Sequence, residues 1–354
     1  MSRARLAVVA LAVATALLWQ PVLRPAGSGV ILLLDVYSPT LVGTNLAERI
    51  TPVPRVAEET AAFAGVPMRV TWWRPGWGDA HPGVMLVNGA TPAGNDNPAT
   101  RQLGAALARA GYLVMLPELP FLKEGRFDVA ATAQIDGAYA GLRARPEAAG
   151  KRTGVFGFSV GGGVLLAAAG REPALRQADY LAVLGAYYDL DTYLASVASA
   201  SQFRAGRLEP WVPSDEARER LPAAAIASVP AGDAQAVSDA LGAATHEEAL
   251  RRLRALPPSS RAVFDGLSPE TVWQGIRQSP LYWLHDPDDT FEPLAEAEAA
   301  AAAPREGSVA LLVPRLVSHA APSPDAAARG ALFVAQQLWE LLSFTMRILR
   351  DAGS

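Results

Sequence analysis

The 354-residue chain contains no cysteine. That excludes disulfides, thiolate zinc sites, lipid attachment through a cysteine, and a cysteine nucleophile. Histidine is scarce: His81, His246, His285 and His319 are the four present, so any imidazole-dependent mechanism draws on this short set. An excess of positive charge is missing too. The 31 basic and 35 acidic residues leave a formal net charge of −4. No stripe of Lys and Arg interleaves with aromatics, so nucleic acid is not an expected partner. The chain carries no internal repeat. What it has in quantity is apolar: half of its residues are hydrophobic. Its length allows one large domain or two smaller ones, with a substantial core.

At the N-terminus, Arg3 and Arg5 precede an uncharged run from Leu6 to Leu23. This is the charged and then apolar order of an export signal. The run, about 18 residues, is near the lower limit for crossing a bilayer. Residues 1–28 are therefore read as a signal anchor, with a cleaved signal peptide and a secreted product as the alternative. The positive-inside rule puts the two arginines in the cytoplasm and the rest outside. The expected location is extracytoplasmic and membrane-anchored, with membrane association through this segment. The stretch GVILLLDVYSP that follows (29–39) has no assigned place.

Arg55 to Pro75 reads as two strands joined at Ala64-Gly65, the second alternating in its side chains. From Gly83 an α/β grammar takes over. GVMLV (83–87), YLVMLP (112–117), TGVFGF (153–158) and YLAVLGAYY (180–188) are apolar runs of the kind buried parallel strands show. Helical spacing lies between them. The alternation breaks from Asp191 to about Gln278, which reads as short helices separated by proline and glycine. Such a gap is too long for an ordinary loop. Strands return at PLYWLHD (280–286) and VALLVP (309–314), and a final helix is expected from about Ala326 to Arg350. The expected fold is α/β, a doubly wound and mostly parallel sheet. It divides into a core (45–190), a helical cap or lid insert (191–278), and the rest of the core (279–354).

Residues 155–163 read VFGFSVGGG. A phosphate loop would need a lysine after the last glycine, where Val164 stands. A dinucleotide fingerprint counted from Gly161 would need glycine where Leu166 stands. Gly157-Phe158-Ser159-Val160-Gly161 instead matches G-x-S-x-G between a strand and a helix, the setting of a nucleophile elbow. The serine there sits on a sharp, strained turn, so side chains two residues either side must be nearly absent. A serine needs a base and the base an orienting carboxylate. Candidates follow the later strands: His285-Asp286-Pro287-Asp288-Asp289 after one, and His319 after the other.

With these elements the chain resembles the α/β-hydrolase superfamily, and its bacterial dienelactone-hydrolase-like and esterase-like members above all. The resemblance covers about Arg55 to Tyr188 and Ser279 to Arg350. The family's acid loop, H-G-x-x-D-x-x-x-P, is matched from His285 to Pro293 with Asp286 in place of glycine. The resemblance implies Asp289 as the triad acid, with Asp288 as its solvated or helix-capping neighbour and Asp189 or Asp191 as an alternative acid. It implies His319 as the base that takes and returns the proton, and His285 as a support of the acid loop. The oxyanion donors would be the backbone N–H groups of Val160 and Ala90, the latter on an Asn88-Gly89 loop where relatives have His-Gly. His246 is expected at the insert's surface, and His81 in a structural turn. Trp211 and Trp273 would either line a pocket or form the insert's own small core. No cofactor, no metal and no histidine metal cluster is expected. The implied activity is hydrolysis of a small-molecule carboxylic ester through an acyl-enzyme. A peptidase or acyltransferase with the same triad, or a non-catalytic hydrolase-fold binding protein, is the alternative.

Overall fold

A computed structural model describes residues 23–276, 279–319 and 321–353. The apolar run from Leu6 lies outside the described residues, apart from Leu23 at its end. Eight strands form one sheet in the order β1-β2-β4-β3-β5-β6-β9-β10. The first two, β1 (Arg55–Phe63) and β2 (Val66–Arg74), form a hairpin at the sheet edge, turned by Ala64 and Gly65, both at positive φ. β2 runs antiparallel to β4 (Leu113–Pro117). Every further pair is parallel: β3 (Gly83–Val87), β5 (Thr153–Phe158), β6 (Tyr180–Leu184), β9 (Leu281–Leu284) and β10 (Val309–Leu312). The central strands β3, β4, β6 and β9 are buried along their whole length. Burial on both faces explains their unbroken apolar runs.

Helices cover both faces, as parallel crossovers require. On one face α3 (Ala130–Arg143) and α4 (Ser159–Arg171) pack over a core that includes Met85, Val155 and Leu181. On the other lie α1 (Arg24–Val42), α2 (Pro98–Arg109) and the last helix, α10 (Ala331–Asp351). Tyr37, Trp73, Tyr282 and Phe344 are buried there together. The stretch left without a place in the sequence is thus helix α1. Its Asp35 is buried against Arg109 of α2, with Oδ2 and Nη1 2.8 Å apart. The Ser28 hydroxyl donates to the Ala110 carbonyl.

Between β6 and β9 come α5 (Leu190–Ser199), a hairpin of β7 (Ser201–Arg204) and β8 (Arg207–Pro210), and four helices. These are α6 (Asp215–Ala227), α7 (Ala234–Leu241), α8 (His246–Arg254) and α9 (Pro258–Leu267). The hairpin corrects the all-helical expectation; Ala205 and Gly206 at positive φ make its turn. The tryptophans of this region pack into a core that the insert shares with the rest of the domain, where a separate small core was one of the two expectations. Trp211 and Trp273 join the core on the α4 face together with Val237, Leu253 and Phe264. Trp273 packs edge-on against Tyr188, at a centroid distance of 4.9 Å. His246 is also corrected: it is 7 % exposed, buried at the start of α8, which Thr245 caps by accepting from the Glu248 N–H.

Candidate active site

Ser159 sits where β5 ends and α4 begins, with φ of 51°. A non-glycine residue there is strained, and the surroundings must hold it. The two flanking glycines give the reason for the motif. A Cβ on Gly161 would stand 1.9 Å from the Asn88 carbonyl oxygen, and one on Gly157 would stand 2.7 Å from the Cα of Gly162. Backbone fills both spaces, so no side chain fits at either position.

The loop after β3 lies against the serine. Asn88 pins it: its amide nitrogen donates to the Gly94 carbonyl at 2.8 Å, and its oxygen accepts from the Thr100 hydroxyl at 2.8 Å. The Asn-Gly departure from the relatives' His-Gly thus comes with its own anchoring bonds. Ala90 lines the same cleft as Ser159. Val160 is in the first turn of α4, where N–H groups have no intrahelical acceptor.

The acid loop follows β9. Asp289 is 3 % exposed. Its Oδ1 accepts the N–H groups of Phe291 and Glu292, and its carbonyl accepts from the Trp211 indole at 2.7 Å. His319, at φ 50°, brings Nδ1 to 3.0 Å from Asp289 Oδ2. Phe291 stacks on the imidazole at 4.5 Å. Asp288 is exposed. Asp189 and Asp191 face arginines of the following helices instead, Arg254 at 3.5 Å and Arg261 at 2.7 Å. His285 is fully buried, and its Nε2 donates to the Glu292 carbonyl at 3.0 Å. His81 is held in its turn by the Glu147 and Gly78 carbonyls.

Two residues that sequence reasoning passed over complete the cluster. Asp286, in the family's glycine position, accepts the backbone N–H of His319 at 3.1 Å. Glu292 has no solvent exposure. Its Oε1 accepts from the Ser159 hydroxyl at 2.7 Å and from the Tyr193 hydroxyl at 3.3 Å. Its Oε2 lies 3.2 Å from His319 Nδ1. That N–H points at Asp289, which leaves Glu292 Oε2 without a hydrogen-bond donor. Among the described residues, the hydrogen bond of Ser159 goes to Glu292 and none joins it to the imidazole. The one available signal was a carboxylate three residues after Asp289; nothing in the pattern showed it to be buried.

The electrostatics follow from burial. Loss of water, with the charge of Asp289 close by, pushes the Glu292 carboxyl up to about 8. Burial pulls the His319 imidazole down, but Glu292 and Asp289 outweigh it and bring it to about 9. Burial acts against the charged form of Asp289, and the bond to His319 reverses this, leaving its carboxyl below the usual range. The donor atoms of Asp289, Glu292 and His319 lie within 4.8 Å of one another, a spacing a small cation accepts. That one histidine joins two carboxylates in this way was not foreseen. Three of the four carboxylate oxygens already have an N–H or O–H donor.

Ser159 and His319 share the wall of a cleft of about 500 Å³. Val36, Leu103, Phe158, Leu184 and Phe291 give it apolar surface, and α1 and α6 contribute Tyr37 and Glu216. A strand–serine–helix elbow, an acid after β9 and a histidine after β10, carried on this strand order, define the α/β-hydrolase fold. No protein-family model and no curated protein matches the chain. Solved structures do. The Pyrococcus horikoshii acylaminoacyl peptidase superposes with a TM-score of 0.52 at 13% identity, over 86% of this chain and 43% of that one. The 2,6-dihydroxy-pseudo-oxynicotine hydrolase gives 0.53 at 19% identity, over 85% and 71%. A puromycin-hydrolyzing peptidase of Mycobacterium tuberculosis gives 0.51 at 17% identity, over 83% and 39%. The chain therefore matches less than half the length of either peptidase. At these identities the shared property is the fold.

Proposed function

We propose that this protein is a serine hydrolase that cleaves a carboxylic ester through an acyl-enzyme. The observation that carries this reading is Ser159 at φ 51° on its elbow, sharing one cleft with His319, whose Nδ1 lies 3.0 Å from the buried Asp289 carboxylate. Ser159 attacks the carbonyl carbon. Asp289 holds Nδ1 of His319, which leaves Nε2 to exchange protons with the reacting oxygens. The N–H groups of Val160 and Ala90 receive the oxyanion. The apolar cleft wall suits an apolar acyl or alkyl group, and the cleft volume is in the range of small-molecule sites. The helices between β6 and β9 act as a cap, bracing the acid loop through Trp211. Export and attachment to a membrane belong to the same reading. They rest on the charged-then-apolar order of the first 23 residues.

Peptide hydrolysis is the second reading, favoured by solved neighbours that are peptidases, two of them described above. One experiment separates the two. The full chain is treated with a fluorophosphonate probe, nitrophenyl esters and matching amides, beside Ser159→Ala and His319→Ala. The expected outcome is labelling and ester turnover in the wild type, both lost in Ser159→Ala. Amide turnover with esters ignored would replace the ester reading by the peptidase one, and absence of labelling would leave a binding protein.

A further inference from the structure

The hydroxyl of Ser159 points its proton at Glu292, so the group placed to receive that proton is a carboxylate. Glu292 is fully buried and has one oxygen without a donor. Resting on the hydrolase reading above, we propose that Glu292 is a catalytic residue, the base that takes the Ser159 proton during acylation, while His319 serves as the acid that protonates the leaving group. Two titratable groups side by side, driven apart in role by their surroundings, are a recurring way to divide acid and base work.

The steps balance. As Oγ bonds to the carbonyl carbon, its proton passes to Glu292, and the carbonyl electrons move to the oxyanion facing Val160 and Ala90. On collapse the bond to the leaving oxygen breaks, and that oxygen takes the Nε2 proton of the His319 imidazolium. In deacylation the now neutral imidazole takes a proton from water as the water oxygen attacks the acyl carbon. When Oγ departs it recovers its proton from Glu292. The cycle ends where it began, with carboxylate, imidazolium and hydroxyl.

This scheme needs Glu292 ionised and His319 protonated together. The groups facing Glu292 are Asp289 and His285 on its own loop, His319, Tyr193 of α5, and Tyr187 after β6. With Glu292 near 8 and His319 near 9, activity has a bell-shaped dependence peaking between those values. A base role for the imidazole alone gives instead a single rise to a plateau.

The test follows Ser159 acylation from pH 6 to 10 in the full chain. For the bell it uses single-turnover acylation by an alkyl ester, whose alkoxide needs the His319 proton to leave. For the Glu292 limb it uses the rate of fluorophosphonate labelling. Both are read in the wild type, Glu292→Gln and Tyr193→Phe. The expected results are a bell in the wild type and a fall of about 10²-fold or more in Glu292→Gln. Tyr193→Phe, which removes a donor to the carboxylate, should move the acid limb upward. A plateau in the wild type, or Glu292→Gln acylating at the wild-type rate, overturns the proposal and leaves the hydrolase reading standing. If Glu292→Gln does not fold, the wild-type curve and Tyr193→Phe still decide. Labelling without ester turnover removes the ester reading alone, and the labelling rate then tests Glu292. A wild-type serine that nothing labels overturns both.

Discussion

The backbone N–H of His319 donates to Asp286 at 3.1 Å, so a carboxylate clamps the strained backbone from which the imidazole projects. A second bond, from the Asp288 N–H at 3.0 Å, ties the same carboxylate into the acid loop. Asp286 therefore joins two loops that follow different strands. Replacing it with alanine removes a charge-assisted bond worth about 1.5–3 kcal/mol. The expected outcome for Asp286→Ala is a kcat reduced about tenfold, corresponding to ~1.4 kcal/mol of lost positioning, with KM little changed. Steady-state kinetics on a nitrophenyl ester and a thermal melt check both parts.

Stability should fall as the solution becomes alkaline, and Glu292 should carry part of that fall. Its folded value of about 8 stands above the ordinary 4.5, so over that window the folded state binds the proton that the unfolded state has released. Stability is fully present below 4.5 and declines as pH rises toward 8. His319, raised from 6.5 to about 9, acts in the same direction over a higher window. Glu296, raised to about 7 by burial, adds a similar background. Comparing wild type with Glu292→Gln cancels that background. The melting temperature of the wild type relative to the variant should drop between pH 5 and 9, and a flat difference would remove Glu292 from the account.

The Asp35–Arg109 pair should be costly to break from one side. The two side chains are 1 % and 9 % exposed. Removing Asp35 leaves the buried guanidinium only its bond to the exposed Glu48 carboxylate at 3.2 Å, at a cost below the about 3–5 kcal/mol of a wholly uncompensated buried charge. Asp35→Ala should therefore lower the melting temperature and expose α1 to limited proteolysis, while the double change Asp35→Leu with Arg109→Met should recover much of the loss. Chemical denaturation of the wild type and the two variants reads this directly.

The parts visible in the sequence are those where local chemistry and long-range position coincide. The central strands announce themselves because burial on both faces demands unbroken apolar runs. Gly157 and Gly161 announce the elbow because backbone occupies the space of their side chains. Asp289 and His319 follow strands whose order could be read. The parts that stayed hidden depend on partners distant in the chain. Asp35 interrupts an apolar run, and its reason is an arginine 74 residues away. Asp286 looked like a departure from a motif until the backbone of His319 was found on it. Glu292 is 133 residues from the hydroxyl it accepts, and a glutamate beside a proline carries no mark of burial. The β7–β8 hairpin escaped because its strands have four residues each and alternate weakly.

Helix α1 has a consequence for maturation. Its Val36 and Tyr37 form part of the cleft wall, and Ser28 and Asp35 tie it to the end of α2 at Ala110 and Arg109. Any proteolytic removal of the segment ahead of α1 would therefore have a narrow window. A cut ahead of Arg24 leaves the helix whole and the cleft closed on that side. A cut past Ser28 strips away the first tie and shortens the helix that carries the wall. Whatever becomes of the residues ahead of Arg24, α1 belongs to the folded protein.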